Sequence, residues 1–130
     1  MKNHKKKIMV VLIFIFMIIF VSLAVMLYQA TKKANNMQVD DVDLSFISDG
    51  QYIGEYAIFP VYVKAEVTVK NHEFVGIEIL EHDNGLGSKA ESIKEDIERK
   101  QSLNVDTISG ATVSSKCILK AVENAITKET

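Results

Sequence analysis

The feature that most constrains this chain is a run of twenty residues near its N-terminus, residues 8–27, with one polar residue, Ser22, and no charge. A helix of about 20 residues is roughly 30 Å long, which matches the hydrocarbon core of a bilayer. The roughly 100 residues that follow are too few to bury such a helix on every side. We therefore predict a transmembrane helix over residues 8–28.

The distribution of charge predicts how this helix is oriented. Residues 1–30 carry four lysines and no acidic residue, whereas residues 31–130 carry eleven basic and seventeen acidic residues. The positive-inside rule places such an N-terminal tail, residues 1–7, in the cytoplasm. We expect a single-pass protein of the cell membrane with an extracytoplasmic domain. A cleaved signal peptide is the alternative, although its apolar segment is usually only about 7–15 residues long.

Beyond the helix, residues 29–48 show no clear period and are interpreted as a stalk, and residues 49–130 as one small domain. The acidic character of this part argues against nucleic acid, because a nucleic-acid-binding protein needs a basic face. Its only cysteine, Cys117, excludes an internal disulfide. The three histidines, His4, His72 and His82, are too scattered to predict a metal site.

The domain begins with strands. Residues 61–70 alternate strictly between apolar and polar side chains, which predicts a half-buried antiparallel strand. A shorter strand is predicted over residues 51–57. Asn71-His72 then forms the turn to a third strand over residues 74–81, whose inward positions are predicted to be Val75, Ile77 and Ile79.

Helices follow the strands. After a glycine-bearing loop, residues 81–87, the period becomes helical, with Ser88 capping a helix over residues 89–101. A last helix is predicted over residues 114–128, with Cys117 as a buried structural thiol on its apolar face. The order of elements predicts the α+β class: a small antiparallel sheet with two helices on one face, preceded by one N-terminal transmembrane helix.

The residues with the most chemical interest precede the last helix, at positions 106–115, where five of ten side chains carry a hydroxyl group. A glycine such as Gly110 lets the backbone approach a ligand closely, and a helix N-terminus favours an anion such as phosphate. The spacing alone also fits a purely structural interpretation, in which Thr112 or Ser114 caps the helix and Gly110 turns the chain.

The residues themselves are more specific than the spacing. Asp106-x-x-Ser109-Gly110-Ala111-Thr112, followed by Val-Ser-Ser, resembles the attachment signature of the FMN-binding domain found in sodium-pumping NADH:quinone oxidoreductases, in Rnf-type complexes and in small anchored bacterial proteins. Other motifs similar to those of the family occur in the family's order over residues 49–128: Asp49-Gly50-x-Tyr52-x-Gly54, the strand at residues 61–70, Gly85-x-Gly87 and Gln101-Ser102-x-x-Val105-Asp106. The members in respiratory complexes usually carry a Glu-Thr-Pro-Gly-like run where this chain has His82-Asp83-Asn84-Gly85.

This resemblance implies a covalently attached FMN cofactor. In the family, a flavin transferase uses FAD and magnesium to join FMN through its phosphate to the last threonine of the signature, here Thr112. The resemblance places Asp106, Ser109, Gly110 and Ala111 around that attachment point. It also makes His82, Gly85 and Gly87 candidates for contact with the flavin, the alternatives being an ordinary loop histidine and a plain loop at the start of a helix.

The implied function is electron transfer. No histidine neighbours Thr112 in sequence, so activation of its hydroxyl falls to the transferase, and we assign no catalytic residue to this chain. We see no paired acid and base, which favours a carrier over a complete enzyme. We expect a membrane donor, such as an NADH or quinol dehydrogenase, and an extracytoplasmic acceptor. The alternatives are the redox part of a flavin-dependent reductase that acts with a partner, and a flavin-free surface binding module.

Overall fold

The computed structural model describes residues 2–83, Gly85 and residues 87–128. Asn84 and Leu86 of the predicted glycine loop, and the last two residues of the predicted domain, lie outside that set. Three strands form one antiparallel sheet in the order β1-β2-β3, so the predicted α+β class is confirmed. The strands are β1 (Gly50–Ile58), β2 (Val61–Lys70) and β3 (Glu73–Asp83), and the α-helices are α1 (Lys2–Asn36), α2 (Ile93–Lys100) and α3 (Thr112–Thr127).

The central strand β2 has the bounds and the alternation that its sequence predicts. Its apolar positions are buried, with Val63, Ala65 and Val67 completely enclosed, and its polar positions lie on the other face. The turn to β3 also forms as predicted, since Asn71 and His72 both adopt positive φ angles, 51° and 63°. A two-residue hairpin turn of this kind requires positive φ at both positions.

Strand β3 does not keep a strict alternation. In its pairing with β2, the residues Val75 and Leu80 have no opposite partner, so the register shifts at both places. Such extra residues are characteristic of β-bulges, which turn the following side chains to the other face. The prediction that Val75 faces inward is therefore wrong: it is 53% exposed, and Phe74 fills the core position instead.

The helices cover one face of the sheet. α3 packs across β1 and β2, while α2 packs beside β3. The predicted helix over residues 89–101 is divided into a 3-10 helix, Ser88–Ser92, and α2. Gly87 occupies the capping position of the 3-10 helix, so the prediction that Ser88 caps the helix is wrong. Cys117 of α3 is fully buried, and burial raises the pKa of its thiol to about 11. This environment suits a structural thiol.

The N-terminal helix is longer than predicted and reaches the domain. Its segment Asn3–Asn36 is long and apolar enough to cross a membrane. Beyond the apolar run, α1 packs against α3 and buries Ala30 and Ala34. The segment that follows is also packed, with Leu44 and Ile47 in the core. Residues 29–48 thus hold α1 against the domain rather than connecting the two loosely.

Asp41 fastens this segment to the loop after α2. Its carboxylate accepts hydrogen bonds from the Ser102 hydroxyl at 2.7 Å and from the backbone N–H of Leu103 at 2.9 Å. Partial burial acts to raise the pKa of Asp41, but hydrogen bonds from Ser102, Leu103 and Val42 outweigh it and hold the pKa below its usual value. The ionised carboxylate is therefore the form that the fold stabilises.

We expect Asp41→Asn to change how stability depends on pH. Because the pKa is lowered in the folded state, Asp41 contributes stability above the unfolded pKa of about 3.9, and this contribution disappears as the pH falls through the folded pKa. The contribution should be no more than about 1 kcal/mol, since the carboxylate is largely solvated. Thermal unfolding of both proteins between neutral and acidic pH measures it. If the stability of the two proteins changed with pH in the same way, the lowered pKa of Asp41 in the folded state would be contradicted.

Candidate functional site

A cavity of about 410 Å³ lies at the N-terminal end of α3. Its volume falls within the range of small-molecule sites in proteins. Five of the residues predicted from the sequence line it: Gly85, Gly87, Gly110, Ala111 and Thr112. The fold therefore brings the glycine loop after β3 and the signature before α3 to one place, although about 25 residues separate them in sequence.

The signature forms a tight turn that ends where α3 begins. The backbone N–H of Ala111 donates to the carbonyl oxygen of Ile108 at 2.9 Å, and Gly110 has a φ of +76°, which disfavours other residues. Ser115, which is fully buried, holds both ends of the turn. Its Oγ accepts from the N–H of Ile108 at 3.0 Å and donates to the carbonyl of Ala111 at 2.8 Å.

The N-terminus of α3 is open toward the cavity. Ala111 occupies the capping position, and among the residues that the structure describes no side chain makes a capping hydrogen bond there. The structural interpretation in which Thr112 or Ser114 caps this helix is therefore wrong. The first N–H groups of a helix carry its positive dipole end and readily bind an anion.

Thr112 is the first residue of α3 and lines the cavity. It is half-buried, and in the part of the chain that the structure describes its hydroxyl makes no hydrogen bond. Ser109 and Asp106 are exposed and do not line the cavity. Asp106 likewise has no hydrogen-bonded side-chain partner among the described residues, so its role at the attachment point stays a prediction.

His82 lies in β3 rather than in the loop predicted for it. It pairs with Val63, a core position, so its side chain points to the helix-covered face and is only 3% exposed. Its Nδ1 lies 2.8 Å from Glu91 Oε1, and its Nε2 lies 3.1 Å from Ser114 Oγ. His82 does not line the cavity itself, but Ser114 does.

Glu91, His82 and Ser114 thus form a hydrogen-bonded row from the surface to the cavity. The Glu91 side chain is 43% exposed, and Ser114 is buried. In the tautomer whose Nδ1 donates to the Glu91 carboxylate, Nε2 accepts a hydrogen bond from the Ser114 hydroxyl, so the row offers a hydrogen-bonded path between solvent and cavity.

Lys89 is a residue of the site that the sequence did not indicate. Its ammonium nitrogen lies 2.8 Å from the position that a Cβ atom would occupy at Gly110. A cation beside the signature turn and the positive end of α3 attract negative charge to the same place. The only sequence signal was its position two residues after Gly87.

One wall of the cavity comes from the N-terminal helix. Leu27, Ala30 and Thr31 of α1 face Pro60 and Val61 across it. The sequence analysis predicted the apolar helix and the domain as separate parts, so it did not predict this wall. Small residues four positions apart near the end of a long apolar helix, as at Ala30 and Ala34, are typical of close helix packing and were the available signal.

These residues fit a flavin mononucleotide. The open helix end and Lys89 suit its phosphate, the glycine backbones allow close approach, and the largely apolar walls suit an aromatic ring system. A family model described as the FMN-binding domain matches residues 60–127, from the start of β2 to the end of α3. No curated protein matches the chain with significant similarity.

Proposed function

Because this chain belongs to the FMN-binding domain family, we propose that it is a membrane-anchored extracytoplasmic flavoprotein that carries electrons through an FMN joined by its phosphate to Thr112. One observation carries the proposal: Thr112 lines a cavity of suitable size at a helix N-terminus that has no side-chain cap. The long apolar helix α1, which packs against the domain, supports the membrane anchor.

The attachment reaction needs only an accessible hydroxyl from this chain. We propose that a flavin transferase uses FAD and magnesium, as in the family. The Thr112 oxygen forms a bond to the phosphorus of the FMN moiety, the phosphoanhydride bond of FAD breaks, AMP leaves and the hydroxyl loses its proton. The resulting phosphodiester carries one negative charge, which the N-terminus of α3 and the ammonium group of Lys89 stabilise.

The remaining residues of the site hold the ring and supply a route for protons. Bound FMN contributes reversible electron transfer, which the side chains of this domain do not provide. The glycine backbones at positions 85 and 87 would let a flat ring approach closely, and residues of α1 and β2 would form walls beside it. The row from Glu91 through His82 to Ser114 would give protons a path to the cavity as the redox state changes.

A carrier fits the size and the placement of the domain better than a complete enzyme. The described part of residues 49–128 forms one sheet with helices on one face, and it shows no separate unit for binding a substrate. We propose a membrane dehydrogenase that oxidises NADH or a quinol as the donor, and an extracytoplasmic protein or small oxidant as the acceptor. The lysines ahead of the apolar run support a cytoplasmic N-terminus. Outside the cell, a covalent bond retains a cofactor that would otherwise be diluted away.

We expect Lys89→Gln to slow flavin attachment, because it removes the cation that lies beside Gly110, two residues before Thr112. The rate of attachment should fall by about tenfold, the effect of losing roughly 1.4 kcal/mol from one charge-assisted contact. Lys89→Arg keeps the charge and serves as the matched control. Flavin incorporation over time, followed by in-gel fluorescence with a purified transferase, measures the rate. Equal rates for all three proteins would remove Lys89 from the phosphate site.

Electron transfer is tested in intact cells stripped of their wall. With an internal supply of NADH, the protein-bound flavin should lose its visible absorption, and a membrane-impermeant acceptor such as ferricyanide should be reduced outside. Thr112→Ala should abolish both signals. A flavin that stays oxidised with every membrane donor, yet reduces a small substrate after chemical reduction, would favour the reductase-part alternative. If only an acceptor inside the cells were reduced, the domain would lie on the cytoplasmic side, opposite to the proposed orientation.

A further inference from the structure

The β1–β2 turn presents a large apolar side chain beside the cavity. Phe59 is 77% exposed, and the next residue, Pro60, lines the cavity together with Leu27 of α1. A phenylalanine with this exposure gains nothing from contact with water, and single exposed apolar residues are common on protein surfaces. Its position next to a membrane helix is the feature that distinguishes it.

The packing of α1 fixes the height of this turn relative to a bilayer. Ala30 and Ala34 are buried against the domain, so the domain cannot swing freely away from the helix. Leu27 is the last residue of the apolar run, and Tyr28, which follows it, is 68% exposed. Tyrosine at the end of a membrane helix typically lies at the level of the headgroups. The cavity wall that Leu27 shares with Pro60 therefore lies at the edge of the hydrocarbon.

We propose that the β1–β2 turn, residues 59–60, docks into the headgroup region of the bilayer that anchors α1, so that the cavity opens at the membrane surface. The inference rests on the proposed membrane span and extends it to a second lipid contact. Phe59 buries its ring among the lipids, while the cation of Lys89, which is exposed near the cavity, suits the headgroup level. A lipid-soluble redox partner of the quinone class would then reach the flavin from the membrane.

The other strongly exposed phenylalanine of the folded domain provides a matched control. Phe46 is 83% exposed, and it ends a 3-10 helix whose Leu44 carbonyl contacts His72 in the β2–β3 turn. That turn is at the opposite end of β2 from residues 59–60, and a strand of ten residues is about 30 Å long. If the domain is held as proposed, Phe46 lies in water, well away from the bilayer.

The chain contains no tryptophan, so a single introduced tryptophan is an unambiguous fluorescent reporter. We would reconstitute the flavin-free full-length variants Phe59→Trp, Phe46→Trp and Phe20→Trp in phosphatidylcholine vesicles. Matched vesicles contain lipid brominated on acyl carbons close to the headgroup, which quenches nearby tryptophan. All three wild-type side chains are exposed, so the substitutions require no repacking. Circular dichroism confirms that each variant is folded.

We expect bromolipid to quench Phe59→Trp as it quenches Phe20→Trp, and to leave the emission of Phe46→Trp unchanged. Phe59→Trp should also emit at shorter wavelength than Phe46→Trp. If Phe20→Trp is quenched and Phe59→Trp is not, the docking inference is overturned while the membrane span stands. Equal quenching at positions 59 and 46 overturns it as well. An unquenched Phe20→Trp would overturn the span itself, and none of these outcomes depends on flavin attachment.

Discussion

Thr112→Ala is expected to abolish covalent flavin attachment and leave the fold intact. Thr112 is the residue of the signature that lines the cavity and has a hydroxyl with no intramolecular hydrogen bond among the described residues. Its replacement removes no helix cap, and alanine favours a helix more than threonine does. When the wild type is produced with an active transferase, intact mass spectrometry should show the added mass of one FMN less one water. The variant should show the unmodified mass.

Two further variants separate the hydroxyl of Thr112 from its surroundings. Thr112→Ser keeps a hydroxyl at the same position and should retain attachment, at a lower rate. Thr107→Ala removes a hydroxyl five residues away, outside the cavity and at a position that the signature leaves unspecified, and should be modified like the wild type. Flavin on the alanine variant at position 112, or an unmodified wild type beside a modified control substrate, would refute the assignment of Thr112.

The parts of the fold that the sequence predicts well are those in which one local pattern determines the outcome. The alternation over residues 61–70 appears as β2 with the same bounds, and the Asn71-His72 turn has the expected positive φ angles. The apolar run forms a helix because no residue in it interrupts the helical backbone. In each case the neighbours along the chain provide most of the relevant interactions.

The errors arise where the pairing between strands overrides the local period. A strict alternation continued from Ile77 and Ile79 would turn His82 away from the core. The extra residue Leu80 shifts the register, so His82 instead faces Glu91 and Ser114. The position of a bulge depends on how two strands fit each other and the helices above them. The alternation along one strand carries no information about that fit.

The sequence indicated the part of the cavity that the signature forms, but not the other walls of the cavity. The residues 110–112 were identified because they are contiguous and specific in type. The end of α1 reaches the cavity, and Lys89 reaches Gly110, only through tertiary packing, and neither belongs to a continuous motif. Contacts between distant parts of the chain have no local pattern, except for small residues that mark close helix packing.

Gly54→Ala is expected to have the largest effect on stability of any single methyl group added to this domain. Gly54 lies in β1 where α3 crosses it. A Cβ atom there would lie 2.8 Å from the Cα of Ala125, and closer still to the carbonyl oxygen of Ala121 and the amide nitrogen of Ala125. These atoms belong to the helix backbone and cannot rotate away. α3 would have to lift from the sheet, which exposes core residues such as Ile118 and Val122.

The free energy of unfolding should therefore fall by at least about 3 kcal/mol, which lowers Tm by more than about 12 °C for a domain of this size. Gly76→Ala is the matched control in the same sheet, since its new methyl group would lie 3.9 Å from the nearest atoms, Cβ and Oγ1 of Thr68. That variant should stay within about 1 kcal/mol of the wild type, because ordinary contact is not strain. Thermal unfolding of the full-length proteins in detergent micelles, followed by circular dichroism, compares the two. Similar Tm values for both variants would mean that α3 does not contact β1 as closely as Gly54 requires.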